Sequence, residues 1–271
     1  MSQKVIVIKE EVIKNFKILR AYWIEIVYWI LSPLLWVLPL IFQGKALVGG
    51  LKSVAFEKLT GTSNYIAFVL IGAIISTYMF SSIWGVGNSL RWENYVGTLE
   101  FILNAPIHPI FIIIGKLISN TLQSTIFVVS QFLIVMLFLG VKFAFYKLLP
   151  ILIGLVLLIM GLWGLGVGLS ALTLLIKEAG GILHTVEFIL YLFSPVRYPT
   201  NIHPITNFVS KFIPLTYALY IIRGTLLNIK INFWKNAFYL LVIDIILIPL
   251  GFFLFKKIYD NSRKKGTLGH Y

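Results

Sequence analysis

The residues able to do chemistry are few. Of 271 positions, ten are Asp or Glu, four are His and none is Cys. Without Cys there is no disulfide, thiolate metal site or thiol nucleophile. His108, His184, His203 and His270 are scattered, and no pair has metal-ligand spacing, so no metal site is expected. Asp244 and Glu187 fall inside long apolar stretches. A charge at the centre of a bilayer costs at least about 2.5–3.5 kcal/mol, so such groups turn toward a bundle interior. For Asp244 a functional contact, along a substrate path or with a residue such as Arg223, and a structural role, as an interhelical hydrogen bond or a protonated carboxyl, stay equally open. Glu187 reads more as a structural group. Glu93 and Glu100 flank a short apolar segment. The glycine-rich run at 161–168 has neither GxGxxG spacing nor a following Lys-Ser/Thr, so it is no phosphate loop. Its Gly164 and Gly168 form a GxxxG, which lets two membrane helices approach closely. GxxxxGK[ST] occurs nowhere, so no P-loop cradles ATP phosphates. One Asp and one Glu in apolar stretches are a poor supply for an embedded active site.

The elements that must position these residues follow from composition. The chain is 59% hydrophobic and 12% charged, with a mean hydropathy of +0.92. A soluble domain averages about 45–50% apolar and about 25% charged. That excludes a disordered chain, a secreted disulfide scaffold and an ordinary soluble enzyme. A bilayer core of about 30 Å takes about 20 helical residues to cross. Six crossings are expected, at 23–42, 65–86, 117–139, 148–176, 182–193 and 237–255, the fifth being short. Before them Val5, Ile8, Val12, Phe16, Leu19 and Trp23 recur at helical steps, with Glu10, Lys14 and Lys17 opposite. This predicts an amphipathic helix over 1–22, lying in the membrane interface. Lys14, Lys17 and Arg20 precede the first span, and Lys256, Lys257, Arg263, Lys264 and Lys265 follow the last. Such clusters place both termini in the cytoplasm. The net charge of +13 then serves orientation and lipid anchoring, with no nucleic acid as partner.

Two segments are unlike ordinary connections. In the first, Tyr95, Leu99 and Ile102 have helical spacing, predicting one short cytoplasmic helix over 95–104 that Pro106 and Pro109 end. Its apolar edge fits an interface or a groove on a partner. The second, 194–236, is too long for a turn and stays apolar. Non-helical backbone at membrane depth must be buried in protein or face water. Two half-helices broken near Pro214, dipping back from the outer face between spans five and six, meet that condition. A capping outer loop is the alternative.

The pattern Glu93-x3-Gly97-Thr98-Leu99-Glu100-x4-Ala105-Pro106 resembles the signature of ABC-2 type transporter permeases. In them this segment is the coupling helix that docks on the ATP-hydrolysing subunit. The resemblance thus assigns ATPase coupling to Glu93, Tyr95, Gly97, Thr98, Leu99, Glu100, Ala105 and Pro106. A second stretch, Ser194-Pro195-Val196-Arg197-Tyr198-Pro199, then Pro214-Leu215-Thr216-Tyr217 and Arg223, resembles the family's outer hairpin with its "NPLTY…R" element, with Ile213 in place of Asn. It assigns the outer gate to Pro195, Tyr198, Pro199, Pro214, Tyr217 and Arg223. The tail over 263–268 resembles the family's C-terminal end.

The resemblance implies a single all-α membrane domain over 1–271: interfacial helix, six spans over 23–255 and cytoplasmic tail over 256–271. It implies an exporter subunit in the plasma (inner) membrane, paired with a second permease copy and separate ABC ATP-binding subunits. ATP and Mg would be held by those partners, and this chain would bind no cofactor. The polysaccharide branch's Arg-Tyr-Lys and Leu-Gly…Trp pattern is missing, so the expected substrate is a hydrophobic small molecule, drug or lipid. Export of a lipid-linked polysaccharide is the alternative within the family. An ion-coupled secondary transporter is the alternative from another class, but no internal repeat supports it.

Overall fold

The computed structural model describes residues 3–48, 54–139, 143, 147–173, 175–176 and 179–264. The described residues are helical with irregular connections. Helix α1 (Gln3–Ala21) leads into α2 (Trp23–Val48), followed by short α3 (Val54–Thr60) and by α4 (Tyr65–Phe80). Helix α4 continues as a π-helical segment, Ser81–Gly87, into α5 (Ser89–Tyr95) and α6 (Leu99–Asn104). Then come α7 (Ile110–Leu139), α8 (Leu148–Leu172), α9 (Ala179–Phe193), α10 (Pro204–Ser210), α11 (Pro214–Leu226) and α12 (Phe233–Lys264).

Five of these stretches are long and apolar enough to cross a membrane: Trp23–Gln43, Tyr65–Gly87, Ile110–Phe138, Leu148–Leu172 and Phe233–Lys264. The expected fifth crossing is not among them. Helix α9 has 15 residues, which reach only about 22 Å. It stops where Ser194 precedes Pro195, because proline disfavours helical backbone in the residue before it. Helices α10 and α11 form a pair bent by 94°, and each starts with proline at its first turn. Pro214 thus sits at the break, as the sequence predicts. Counting this pair as one unit gives at most six crossing elements.

Helix α4 is the axis of the bundle. It is apolar on every side, and 83% of its crossing stretch is buried, against 18–33% for the other four. Polar side chains join it to neighbours. Thr77 donates to Gln131 Oε1 of α7, and Gln131 Nε2 donates to the Trp29 carbonyl of α2. Beside the π segment, Tyr78, Ser82, Asn120, Thr121, Ser124 and Trp163 line a small cleft.

The α8–α12 contact shows why the glycines are spaced as they are. Gly164 lies against the Leu247–Ile248 backbone, and Gly168 lies against Gly251. A Cβ added at Gly251 would collide with the Gly164 carbonyl. Gly251→Leu is therefore expected to lower stability by about 1–3 kcal/mol. Thermal melting of the detergent-solubilised protein reads this, and an unchanged midpoint would refute the close contact.

Candidate functional site

The segment after the π helix forms a knuckle, and glycine chemistry shapes it. The predicted helix over 95–104 is broken: α5 ends at Tyr95 and α6 starts only at Leu99. Gly97 has φ +79°, a conformation side chains resist. Its N–H donates to the Asn94 carbonyl at 3.0 Å, and the Thr98 N–H donates to the Glu93 carbonyl at 2.8 Å. These two bonds close α5 in a Schellman motif, and Leu99 starts α6 in a new direction. Helical spacing alone could not see the break, because Leu99 and Ile102 keep their period within α6.

The turn sorts the candidate residues into two sets. Tyr95 and Phe101 are 83% and 79% exposed. Trp92, Val96, Glu100, Ala105 and Pro106 are also exposed, whereas Leu99 is buried. Glu93 lies inside the bundle, 4% exposed. Its carboxylate accepts from Lys116 Nζ of α7 at 2.7 Å and Lys14 Nζ of α1 at 2.9 Å. Thr98 Oγ1 donates to its second oxygen. Glu11 of α1 completes the cluster, 3.3 Å from Lys14 and 4.0 Å from Lys116. Burial pushes the Glu93 carboxyl up, but the Lys116 charge and the bonds from Lys116, Thr98 and Lys14 outweigh it. The net result is a pKa lowered to about 2. For Lys14, burial works downward and Glu93 and Glu11 upward, and the pair wins, raising its pKa.

Sequence reasoning placed Lys14 on the polar face of α1 and began the third span just after Lys116. Lys14 stays 42% exposed but reaches Glu93 with its ammonium, and the span start is corrected: α7 begins at Ile110, which leaves Lys116 inside a long apolar helix. A lone lysine there signals a buried acid. Gly115 allows the approach, since a Cβ there would lie 2.7 Å from the Glu11 side chain.

At the far end of α4, Arg223 of α11 ties the bent pair to the axis. It is 2% exposed. Its guanidinium donates to the Phe68 carbonyl at 2.7 and 3.0 Å, to Val196 at 2.8 Å and to Pro195. It also lies 3.5 Å from the Phe68 ring centroid. Pro195, Pro199 and Pro214 are buried, and Tyr198 and Tyr217 are half-buried. The Tyr198 hydroxyl donates to the Leu192 carbonyl, and the Tyr217 ring stacks on Tyr239 at 5.4 Å.

The Arg223–Asp244 contact, one of the readings left open, is absent. Arg223 spends its donors on carbonyls, while Asp244 is buried against Gly161 of α8. Neither Asp244 carboxyl oxygen has a hydrogen-bond partner among the described residues. Glu187 accepts from Trp84 Nε1 at 2.7 Å. The described residues contain no cluster able to hold a metal ion.

The comparison with curated proteins finds no match. The family model of the ABC-2 type transporter matches residues 21–227. That stretch runs from the end of α1 to just past α11. It contains the axis helix, the knuckle and the bent pair. The chain therefore belongs to the ABC-2 type transporter family, whose members are transport subunits that associate with an ABC ATP-binding subunit.

Proposed function

We propose that this chain is the permease subunit of an ATP-driven exporter, with a separate ATPase docking on the α5–α6 knuckle. One observation carries the reading. The knuckle presents Trp92, Tyr95, Val96 and Phe101 outward, while the buried Glu93 fixes its base to α1 and α7. Exposed aromatics clustered on a rigid turn are suited to anchor a partner. The charged base is suited to pass a push from the ATPase into the bundle. ATP and Mg belong to that partner.

On this reading the knuckle and both termini are cytoplasmic, in the plasma membrane. Helix α1 lies along the inner interface, and its Glu11 and Lys14 join it to the coupling unit. Helix α9 counts as a short fifth crossing, and the bent pair dips in from the outer face, held by Arg223 as an outer gate. Two copies form the pathway. The substrate is a hydrophobic small molecule, drug or lipid, ahead of a lipid-linked polysaccharide. An ion-coupled transporter draws support from one feature, the unpartnered Asp244.

Co-purification with the ATPase tests the reading. Tyr95→Ala combined with Phe101→Ala is expected to weaken ATPase binding by about 2 kcal/mol or more, some thirtyfold. Both side chains are exposed, so folding is spared. Full ATPase binding by this variant would sink the docking assignment.

A further inference from the structure

We infer that Trp84, His184 and Glu187 form a recognition site for organic monovalent cations on the flank of the bundle. This rests on the reading of a pathway for apolar compounds and narrows their class. Glu187 Oε2 accepts from Trp84 Nε1 at 2.7 Å and lies 3.5 Å from His184 Nδ1. The Trp84 and His184 rings stand edge to face, with centroids 4.5 Å apart.

Exposure decides what this group does. The His184 side chain is 72% exposed and that of Glu187 is 27% exposed. Both stand on α9, whose other outward residues include Phe188, Ile189 and Leu192. An acid on such an apolar face is not left to lipid tails. An acid with a purely structural task is enclosed and saturated, as Glu93 is by Lys14, Lys116 and Thr98. A carboxylate accepts about four hydrogen bonds, so the Trp84 bond and the His184 contact leave Glu187 open on its outward side.

The walls specify the ligand. One helical turn along, Phe80 and Tyr191 face each other with centroids 5.7 Å apart, and the Arg197 guanidinium lies 4.7 Å from the Tyr191 ring centroid, so this ring pair ends the site and is not a surface for the ligand. The site therefore offers one part-exposed carboxylate beside the Trp84 and His184 rings, a setting that attracts a cation through both charge and ring faces. A hard metal ion asks for six or more oxygens, and this site does not provide them. The exposed apolar neighbours Phe188, Ile189 and Leu192 suit a cation wrapped in hydrocarbon. The Arg91 guanidinium lies near Gly180, roughly 10 Å along α9 from Glu187, on the knuckle side of the site. Trp84 belongs to the π segment, so a bound cation rests on the element that runs into the knuckle.

The test uses the full chain in lipid nanodiscs with two probes of matched shape, tetraphenylphosphonium and tetraphenylborate. Equilibrium binding is expected to be saturable for the cation and absent for the anion. Glu187→Gln is expected to weaken cation binding about tenfold or more. His184→Lys adds a positive charge at an exposed position, where folding is spared, and is expected to weaken it similarly. Wild-type protein that binds both ions equally, or neither, would overturn the site. Unchanged cation binding in His184→Lys would do the same. None of these measurements needs the ATPase, so a failure of knuckle docking and a failure of this site are read separately.

Discussion

Glu93→Ala is expected to cost about 3–5 kcal/mol, the penalty for stranding a buried charge. The stranded partner is Lys116, itself 5% exposed, whose 2.7 Å bond to Glu93 would have no replacement. Glu11, at 4.0 Å, is a weaker substitute. The double variant Glu93→Leu with Lys116→Leu is expected to recover most of the loss, because an apolar pair needs no compensation. Thermal melting reads both, and an Ala variant that melts with wild type would dismiss the cluster as a structural centre. On the proposed reading, Glu93→Gln also lets ATP hydrolysis run without transport. Acid gives an independent check. The Glu93 pKa falls from 4.5 to about 2 on folding, so its contribution is fully present above pH 4.5. It is lost as pH drops toward 2, and amounts to about 3 kcal/mol. A melting midpoint flat across that window in the wild type, set against a Glu93→Gln control, would contradict the ion cluster.

Arg223→Met carries the second large effect. Three carbonyls, of Phe68, Pro195 and Val196, accept from this one guanidinium. An orphaned buried acceptor costs about 1–3 kcal/mol, so a loss of roughly 3–5 kcal/mol is expected after relaxation. Arg223→Lys is expected to rescue little, since a single ammonium lacks the planar fork that reaches several acceptors. Gly72 shows how tightly the fork is held, because a Cβ there would strike both Arg223 and the Val196 carbonyl. Proteolysis of the bent pair in the folded protein is the readout. Cleavage near 195–213 as slow as in wild type would show that Arg223 does not hold it.

What the sequence revealed follows interaction range. Long apolar runs announced the five crossing helices, because twenty residues of hydrophobicity need no partner to be recognised. The knuckle was found but drawn too straight, since the Gly97 break depends on one backbone angle. The short α9 is cut by Ser194–Pro195, a local signal that gave its end correctly and left its crossing unsupported by length. The site's chemistry was harder to read. Glu93 was noticed for its motif and Lys14 for its place on α1, but that they and Lys116 join was not legible, because the connection exists only once three helices meet. Asp244 was noticed for its cost, but whether it meets Arg223 or another helix stayed open, because charge does not encode which helix faces which.

The Glu93 cluster also has a consequence for how the chain is made. Lys14 and Glu93 are 79 residues apart, and Lys116 follows Glu93 by another 23. Synthesis runs from the N-terminus, so α1 emerges long before its partners exist. Until the start of α7 has been translated, α1 has only its own Lys14–Glu11 pair and lacks its Lys116 partner. The last of the four charges to arrive closes the lock, and assembly of this end of the protein is timed by residue 116.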